Sequence, residues 1–568
     1  MEKYDSLAEL ASVLDTVSLP LQLPGATQAR EIQTRGVRRL EDHILPRLSN
    51  LDAPLLCVVG GSTGAGKSTI VNSLVNQKVA ASSARRPTTR RPLLLHRPDD
   101  DRWFEPDRIL PTLPRRRIDA DAPPSEPNAD SVFELELREN EAIRPGLALL
   151  DAPDLDSVVE NNRKLARQLL DAADLWVFVT TAARYADAVP WAMLEDAARR
   201  NISVAVVLNR VPAGALEEVR DDFSRMLLDA NLGRAPLIAI EETELVDGMI
   251  PAQKLQPLTN WLASLTDTAQ ARAATAKRTL HGSVDALLDS VDGLIESLSE
   301  QAVVVTDAAQ VIDTEIDAAI RRVAEQTQNG SLLRGEVLAR WQEVVGTAEL
   351  SKKIDEGISW VKARITGFFT GNPVKAEPVE QAIGEGLSAL LSDEIARTHD
   401  AIRATWHQNR AMRDVEAEVP DATVQQIHEV ATEMTLNWQK ELLEMVRDQA
   451  GSKKMSARFL AIGVNVLGVA LMIVIFASTG GLTGAEVGVA GATSVVAQRL
   501  LESVFGDQAV QAMTKQAHDS LLEDLREVLR KSTQPFLDQI PEVSSPETLF
   551  EASTRARTAW REVNHEDL

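Results

Sequence analysis

Seven short apolar runs, separated by stretches long enough for a helix, mark the chain between residue 54 and about residue 265. They are 55–60 (LLCVVG), 93–96 (LLLH), 132–137 (VFELEL), 147–151 (LALLD), 175–180 (LWVFVT), 203–209 (SVAVVLN) and 236–240 (PLIAI). Strands alternating with helical stretches predict βαβ units and a mostly parallel sheet. Ahead of them, Leu7, Leu10 and Leu14 at helical spacing predict one or two helices within residues 1–50. Residues 98–130 are rich in Pro and Asp and are expected to form a surface excursion.

After Trp261 the strand pattern ends. Residues 266–345 and 379–450 read as long helical tracts, and Ala308, Val311, Ile312, Ala319, Ile320 and Val323 trace one apolar face. A break is expected at 367–378, and charged amphipathic helix returns at 499–531 and 546–564. No short fixed-period repeat is evident.

The segment from Phe459 to Ser478 holds twenty residues without a charge. As a helix it would span roughly 30 Å, the thickness of a bilayer's hydrocarbon layer. A weaker Gly- and Ala-rich stretch follows to Ala497, with one acid, Glu486. Lys453, Lys454 and Arg458 precede the pair and Arg499 follows it, which suits a helical hairpin with both ends on the cytoplasmic side. A wholly buried helix of the bundle is the competing reading. The near-absence of a polar stripe, apart from Asn465, favours lipid.

Gly61-Ser62-Thr63-Gly64-Ala65-Gly66-Lys67-Ser68 matches G-x-x-x-x-G-K-[ST], after one predicted strand and before a helical run that opens with Thr69. Glycines let backbone N–H groups curl around a β-phosphate, and the following helix N-terminus favours negative charge. Lys67 is expected to reach the β- and γ-phosphates, and the Ser68 hydroxyl to ligate Mg²⁺. Asp151, at the tip of the strand LALLD, is the expected second holder of that ion. The chemistry so implied is nucleoside triphosphate binding and hydrolysis.

Composition narrows the partners. The net charge is −24, from 84 acidic and 60 basic residues, which argues against nucleic acid. Cys57 is the only cysteine, so no internal disulfide is possible, and its apolar run marks it as a core thiol. The eight His show no metal-ligand spacing.

Thr89-Arg-Arg-Pro-Leu-Leu-Leu resembles the first switch segment of dynamin-family GTPases. That resemblance implies that Thr89, with Thr88 as the adjacent alternative, ligates Mg²⁺ and positions the attacking water. Asp151-Ala-Pro resembles the third GTPase motif, D-x-P-G. Asn209, with Arg210 beside it, stands where the guanine-reading N/T-K-x-D motif belongs. Bacterial dynamin-like proteins also place long helical bundles and a membrane-touching tip behind the GTPase domain.

The implied layout is N-terminal helices (1–50), a three-layer α/β P-loop GTPase domain (51–265), a helical bundle or stalk (266–450), an apolar membrane hairpin or paddle (451–505) and a helical return (506–568). The implied function is GTP hydrolysis with Mg²⁺, driving self-association and membrane remodelling. The implied partners are GTP and GDP, a lipid bilayer, and a second copy or a paired dynamin-like subunit. The expected place is the cell membrane, with the GTPase domain and both termini on the cytoplasmic side.

Three positions depart from the family pattern. Asp154 replaces the glycine of the third motif, and Thr63-Gly64 replaces a Gln-Ser pair that assists water attack. Pro212 stands where an Asp would accept the guanine N–H groups, which weakens base readout. A scaffold that binds nucleotide with little hydrolysis, and an ATP-preferring enzyme, therefore stand as alternatives. A ribosome-assembly GTPase of Era type lacks support without a basic RNA-binding tail, and an ABC-type ATPase lacks its LSGGQ-like signature.

Overall fold

The computed structural model describes residues 2–81, 91–105, 109–124, 134–156, 160–333, 337, 339–341, 376–449, 463–477 and 487–562. The chain divides into two compact units, Met1–Ala302 with Val543–Leu568, and Val303–Glu542.

The first unit is built on β1 (Leu55–Gly61), β2 (Leu93–His96), β3 (Arg115–Ile118), β4 (Leu135–Glu139), β5 (Leu147–Asp151), β6 (Leu175–Thr181), β7 (Ser203–Val211) and β8 (Leu237–Glu241). Their order in the sheet is β3-β4-β2-β5-β1-β6-β7-β8, and every pairing is parallel except β2 with β5. β1 shows why the central strands read as unbroken apolar runs. Leu56 and Val58 feed a core on one face, and Leu55, Cys57 and Val59 a second core on the other, so neither face meets water.

Helices α5 (Glu160–Asp171), α6 (Ala188–Arg199) and α7 (Leu216–Asp229) close the first face through Leu165, Leu169, Leu194 and Phe223. Helices α4 (Lys67–Leu74) and α8 (Ala252–Thr266) close the other through Ile70, Val71, Leu255, Leu258 and Leu262. The result is the expected three-layer α/β domain. Cys57 is fully buried, and burial pushes its thiol well above the usual range.

The excursion at 98–130 corrects the sequence reading in part. It supplies β3 to the sheet edge and buries Phe104, Ile109, Leu110 and Leu113. The strand Arg-Arg-Arg-Ile has no apolar alternation because it lies at an edge, where one side of the ladder is open. Arg115 fastens the excursion by donating to the carbonyls of Phe104, Leu110 and Leu113 at 2.9–3.1 Å.

N-terminal helices α1 (Glu2–Thr16) and α2 (Ala26–Arg39), a π-turn at Leu40–Ile44 and α3 (Leu45–Ser49) pack with the first part of α9 (Ala269–Gln328). Leu7, Leu10 and Leu14 meet Leu280, Val284, Leu287 and Val291 there, together with residues near the C-terminus, Leu549 to Trp560. An ionic cluster joins α2 to the P-loop domain. Arg35, Arg39 and Arg200 all converge on Asp171, at 2.7, 3.1 and 2.7 Å, and Arg35 and Arg39 also reach Asp196. Asp171 closes α5, where a carboxylate opposes the helix dipole, so three guanidinium groups offset an otherwise costly placement. Burial raises the Asp171 pKa, yet Arg39, Arg35 and Arg200 together hold it well below the carboxylate range. Below the cluster, Arg47 pairs with buried Asp174, which also accepts the Leu56 N–H at 2.8 Å.

The second unit is all-helical among the described residues. It holds the remainder of α9, then α10 (Glu377–Gln408), α11 (Arg413–Glu418), α12 (Val424–Gln449), α13 (Val464–Ala477), α14 (Val487–Phe505) and α15 (Asp507–Gln539). The tract expected at 379–450 is two long helices, α10 and α12, joined through the short α11 and packed side by side, with Ser388 and Thr432 hydroxyls 2.9 Å apart. Tryptophans lock neighbours through their indole N–H groups: Trp406 donates to the Ala308 carbonyl at 3.3 Å, and Trp438 to that of Ala517 at 2.9 Å. The last helix, α16 (Pro546–Glu562), belongs to the first unit.

The expected apolar hairpin is described only in part. Of its first segment the described part is α13, fourteen residues long, and every residue from Val466 to Phe476 is buried. Phe476 stacks obliquely on Trp438, and Gly468 packs so closely that an added Cβ would lie 2.4 Å from a Leu443 methyl. Among the described residues no helix is long and apolar enough to cross a membrane. Residues 459–462 and 478–486 of the expected hairpin lie outside the described residues.

Candidate functional site

β1 ends at Gly61, whose backbone lies so close to β6 that a Cβ would sit 1.9 Å from the Val179 carbonyl oxygen; only glycine fits. The chain then curls through Ser62 to Gly66 and enters α4 at Lys67. Gly66 takes φ +92, and a Cβ there would meet the Asn209 side chain at 2.6 Å. The apolar strand and the two demanding glycines thus aim the α4 N-terminus at the end of the sheet. A helix N-terminus presents unpaired N–H groups and favours an anion.

Lys67 is almost fully buried and donates to the Gly61 and Ser62 carbonyls at 3.2 and 3.1 Å. Its ammonium also pairs with the carboxylate of Asp154. The Ser68 hydroxyl donates to Asp151 Oδ2 at 2.6 Å, while Asp151 Oδ1 is buried without a hydrogen-bond partner among the described residues. Burial raises the Asp151 pKa to about 6, opposed by Ser68 and Lys67 and reinforced by Asp154. Among the described residues no three His, Cys, Asp or Glu side chains converge as a metal-binding group.

Asn209, at the end of β7, donates from Nδ2 to the Ala65 carbonyl at 2.8 Å and so fastens the P-loop from the side. Arg210 follows with φ 53, at the register irregularity between β7 and β8, and is exposed. Thr69 is half-buried on α4, and its carbonyl accepts the Ser73 hydroxyl at 2.6 Å. Lys67, Ser68 and Asp151 therefore come together, with Asn209 alongside. Thr88 and Thr89 lie outside the described residues.

Three side chains at the site escaped the sequence reading. Asp154 was visible only as a missing glycine, not as a partner of Lys67. Asp156 accepts both the Thr63 N–H, at 2.7 Å, and the Thr63 hydroxyl, and its other oxygen takes Arg184 at 2.5 Å. The available signal was the run Asp151-Ala-Pro-Asp-Leu-Asp156, which places three carboxylates within six residues of chain. Its backbone is tied to the P-loop strand, since Ala152 N–H donates to the Val59 carbonyl at 3.1 Å and Leu155 N–H to that of Gly61 at 3.3 Å.

Residues 57–211 match the model of the dynamin family. No curated relative matches the chain significantly. Similar solved structures include two of an oligomerised bacterial dynamin pair described as providing a mechanism for long-range sensing and tethering of membranes. They are 12% and 13% identical, with TM-scores of 0.37 and 0.36; the matches cover 100% and 97% of this chain and 96% of each of theirs. A third, the LeoA bacterial dynamin GTPase from ETEC, is 11% identical with a TM-score of 0.21, covering 98% of this chain and 97% of that one. These superpositions are loose, so the assignment rests on the sequence match and on the sheet and P-loop within it. Across residues 57–211 the P-loop domain of this chain is similar to the dynamin family.

Proposed function

We propose that the protein is a membrane-associated, dynamin-like GTPase that hydrolyses GTP with Mg²⁺ to drive self-association and membrane remodelling or maintenance. The observation that carries this reading is the convergence of Lys67, Ser68 and Asp151 at the mouth of a P-loop within the dynamin-family match.

The oxygen-only donors suit Mg²⁺, a hard cation that keeps waters and needs few protein ligands. Asp151 Oδ1, buried and without a hydrogen-bond partner among the described residues, and the Ser68 hydroxyl 2.6 Å from its other oxygen are the groups that would hold the ion. When bound, Mg²⁺ neutralises charge that develops on the β- and γ-phosphate oxygens. The protein's own part is positioning. Backbone N–H groups of 62–69 cradle the phosphates, Lys67 supplies a fixed positive charge, and Asn209 holds the loop in shape. Thr89, or Thr88, is assigned the attacking water from the family resemblance. Arg210 and Asn209 are assigned to the base.

Membrane association is read from the composition of 459–497 and its basic flanks. In the folded helical unit α13 is covered, so insertion requires that unit to open and lipid to replace the protein cover. The site is placed on the cytoplasmic side of the cell membrane, where GTP is available, and self-association is with a second copy or a paired subunit. A nucleotide-dependent scaffold with little hydrolysis is the second reading, favoured by Thr63 and Gly64 in place of the water-assisting pair and by the Asp156 contact that engages Thr63. Turnover of GTP and ATP with and without liposomes separates the two. Hydrolysis that liposomes accelerate supports the enzyme, and tight binding without turnover supports the scaffold.

A further inference from the structure

We infer that Asp154 sets the balance between diphosphate and triphosphate at this P-loop, and that it acts against the triphosphate. The inference rests on the nucleotide-binding reading above.

Lys67 has one ammonium, and three oxygens already surround it: two P-loop carbonyls and the Asp154 carboxylate. In a P-loop that ammonium serves the β- and γ-phosphate oxygens. A β-phosphate lies deep among the loop N–H groups and can share Lys67 with Asp154. A γ-phosphate lies further out, on the side from which the 151–156 loop approaches, and must displace the carboxylate from Lys67.

The displaced carboxylate has little room to retreat. Asp154 sits between two backbone anchors, Ala152 N–H to the Val59 carbonyl and Leu155 N–H to the Gly61 carbonyl. Its side chain is only 16% exposed. Asp151 and Asp156 crowd the same loop with two further carboxylates, the second held in place by Thr63 and Arg184. A negative group left beside the terminal phosphate repels it in a poorly solvated pocket, where such repulsion is screened weakly. A glycine at this position would offer an N–H and no charge. Asp154 thus lowers triphosphate affinity while leaving diphosphate affinity largely alone, so that the site takes up triphosphate only when a further contact or cation offsets the repulsion.

The test compares full-length protein with Asp154→Asn, which keeps the shape and removes the charge, and with Asp154→Gly. GDP and a non-hydrolysable GTP analogue are titrated calorimetrically in Mg²⁺, and again with EDTA. The expected result is a gain of about tenfold for the triphosphate analogue in both variants, with GDP affinity changed by less than about twofold. Retained GDP binding shows that each variant folds. Weaker triphosphate binding in Asp154→Asn would overturn the inference and make Asp154 a cation-mediated phosphate contact. An unchanged ratio with firm binding would overturn the inference alone. No binding of either nucleotide by any form, with Lys67→Ala indistinguishable, would overturn the nucleotide reading and this inference with it.

Discussion

The Ser68 hydroxyl donates to Asp151 Oδ2 at 2.6 Å, joining the first turn of α4 to the tip of β5 across the end of the sheet. β1 lies between those elements in the fold, paired in parallel with β5 from Leu55↔Leu147 to Val59↔Asp151, so the register that builds the sheet also sets this contact. Ser68→Ala and Asp151→Asn should each raise the Mg²⁺ concentration for half-maximal GTP binding about tenfold or more, as loss of an ion-orienting group does elsewhere. A Mg²⁺ titration followed by a fluorescent nucleotide measures it. Unchanged midpoints would remove both residues from the ion site.

Base selectivity depends on Asn209. Its bond to the Ala65 carbonyl is internal, and Pro212 offers no side-chain acceptor for guanine N–H groups. GTP should bind more tightly than ATP, but by far less than the 10⁴–10⁵ that full hydrogen-bond readout of a polar group gives. Asn209→Ala should weaken both nucleotides about tenfold through the loosened P-loop. Competition binding with GTP, ATP and their diphosphates measures both effects, and a preference for ATP would remove the GTPase label while leaving the P-loop chemistry standing.

His43 gives the first unit a pH dependence. Burial, then the charges of Arg47, Arg200 and Arg39, depress its pKa well below the usual value, against the opposing pull of Asp171. Its Nε2 has no hydrogen-bond partner among the described residues. The unfolded chain takes up a proton near pH 6.5 and the folded one does not, so stability is full above that value and falls as pH falls below it. Asp151, whose folded pKa is raised to about 6, acts in the opposite sense between that value and its unfolded one. That term cancels when wild type is compared with His43→Gln. Wild type should lose stability relative to the variant by up to about 1.4 kcal/mol per pH unit below 6.5. Urea melts at pH 7.5, 6.0 and 5.0 measure the difference, and parallel curves would contradict it.

The apolar helix should behave as core in solution. With α13 buried from Val466 to Phe476, Val469→Cys should resist a water-soluble maleimide while Asn465→Cys, on the exposed edge, reacts. Cys57 adds little background, because it is buried and its thiol is held un-ionised. Leu471→Ala should destabilise the helical unit by about 2–5 kcal/mol. Rapid labelling at residue 469 without lipid would contradict the packed position. Loss of its protection, together with liposome binding and GTP, is the signature of opening toward a membrane.

Much of the α/β domain was legible because β1, β5, β6 and β7 are buried on both faces and so carry apolar runs that stand out from their surroundings. β3 was not legible: Arg115, Arg116 and Arg117 form an edge strand in which Arg116 and Arg117 meet water and carboxylates and Arg115 meets backbone carbonyls of the excursion. The cluster of Arg35, Arg39 and Arg200 on Asp171 and Asp196 was hidden for a related reason, since its members are up to 165 residues apart and no local spacing announces them. In the site, Lys67 and Ser68 were readable from one contiguous motif. Asp154 and Asp156 act through the fold of a loop, which a motif of neighbours does not encode. The run at 459–478 was ambiguous in sequence because lipid and a protein core make the same demand of a helix, the exclusion of charge.

Phosphate release from full-length protein with GTP and Mg²⁺ decides whether this P-loop domain is a GTP-hydrolysing enzyme. Steady turnover is expected, accelerated by liposomes, abolished by EDTA and reduced at least a hundredfold in Lys67→Ala, where the transition state loses its fixed cation. GTP turnover that persists unchanged in Lys67→Ala, or none in any condition despite firm nucleotide binding, would contradict that assignment.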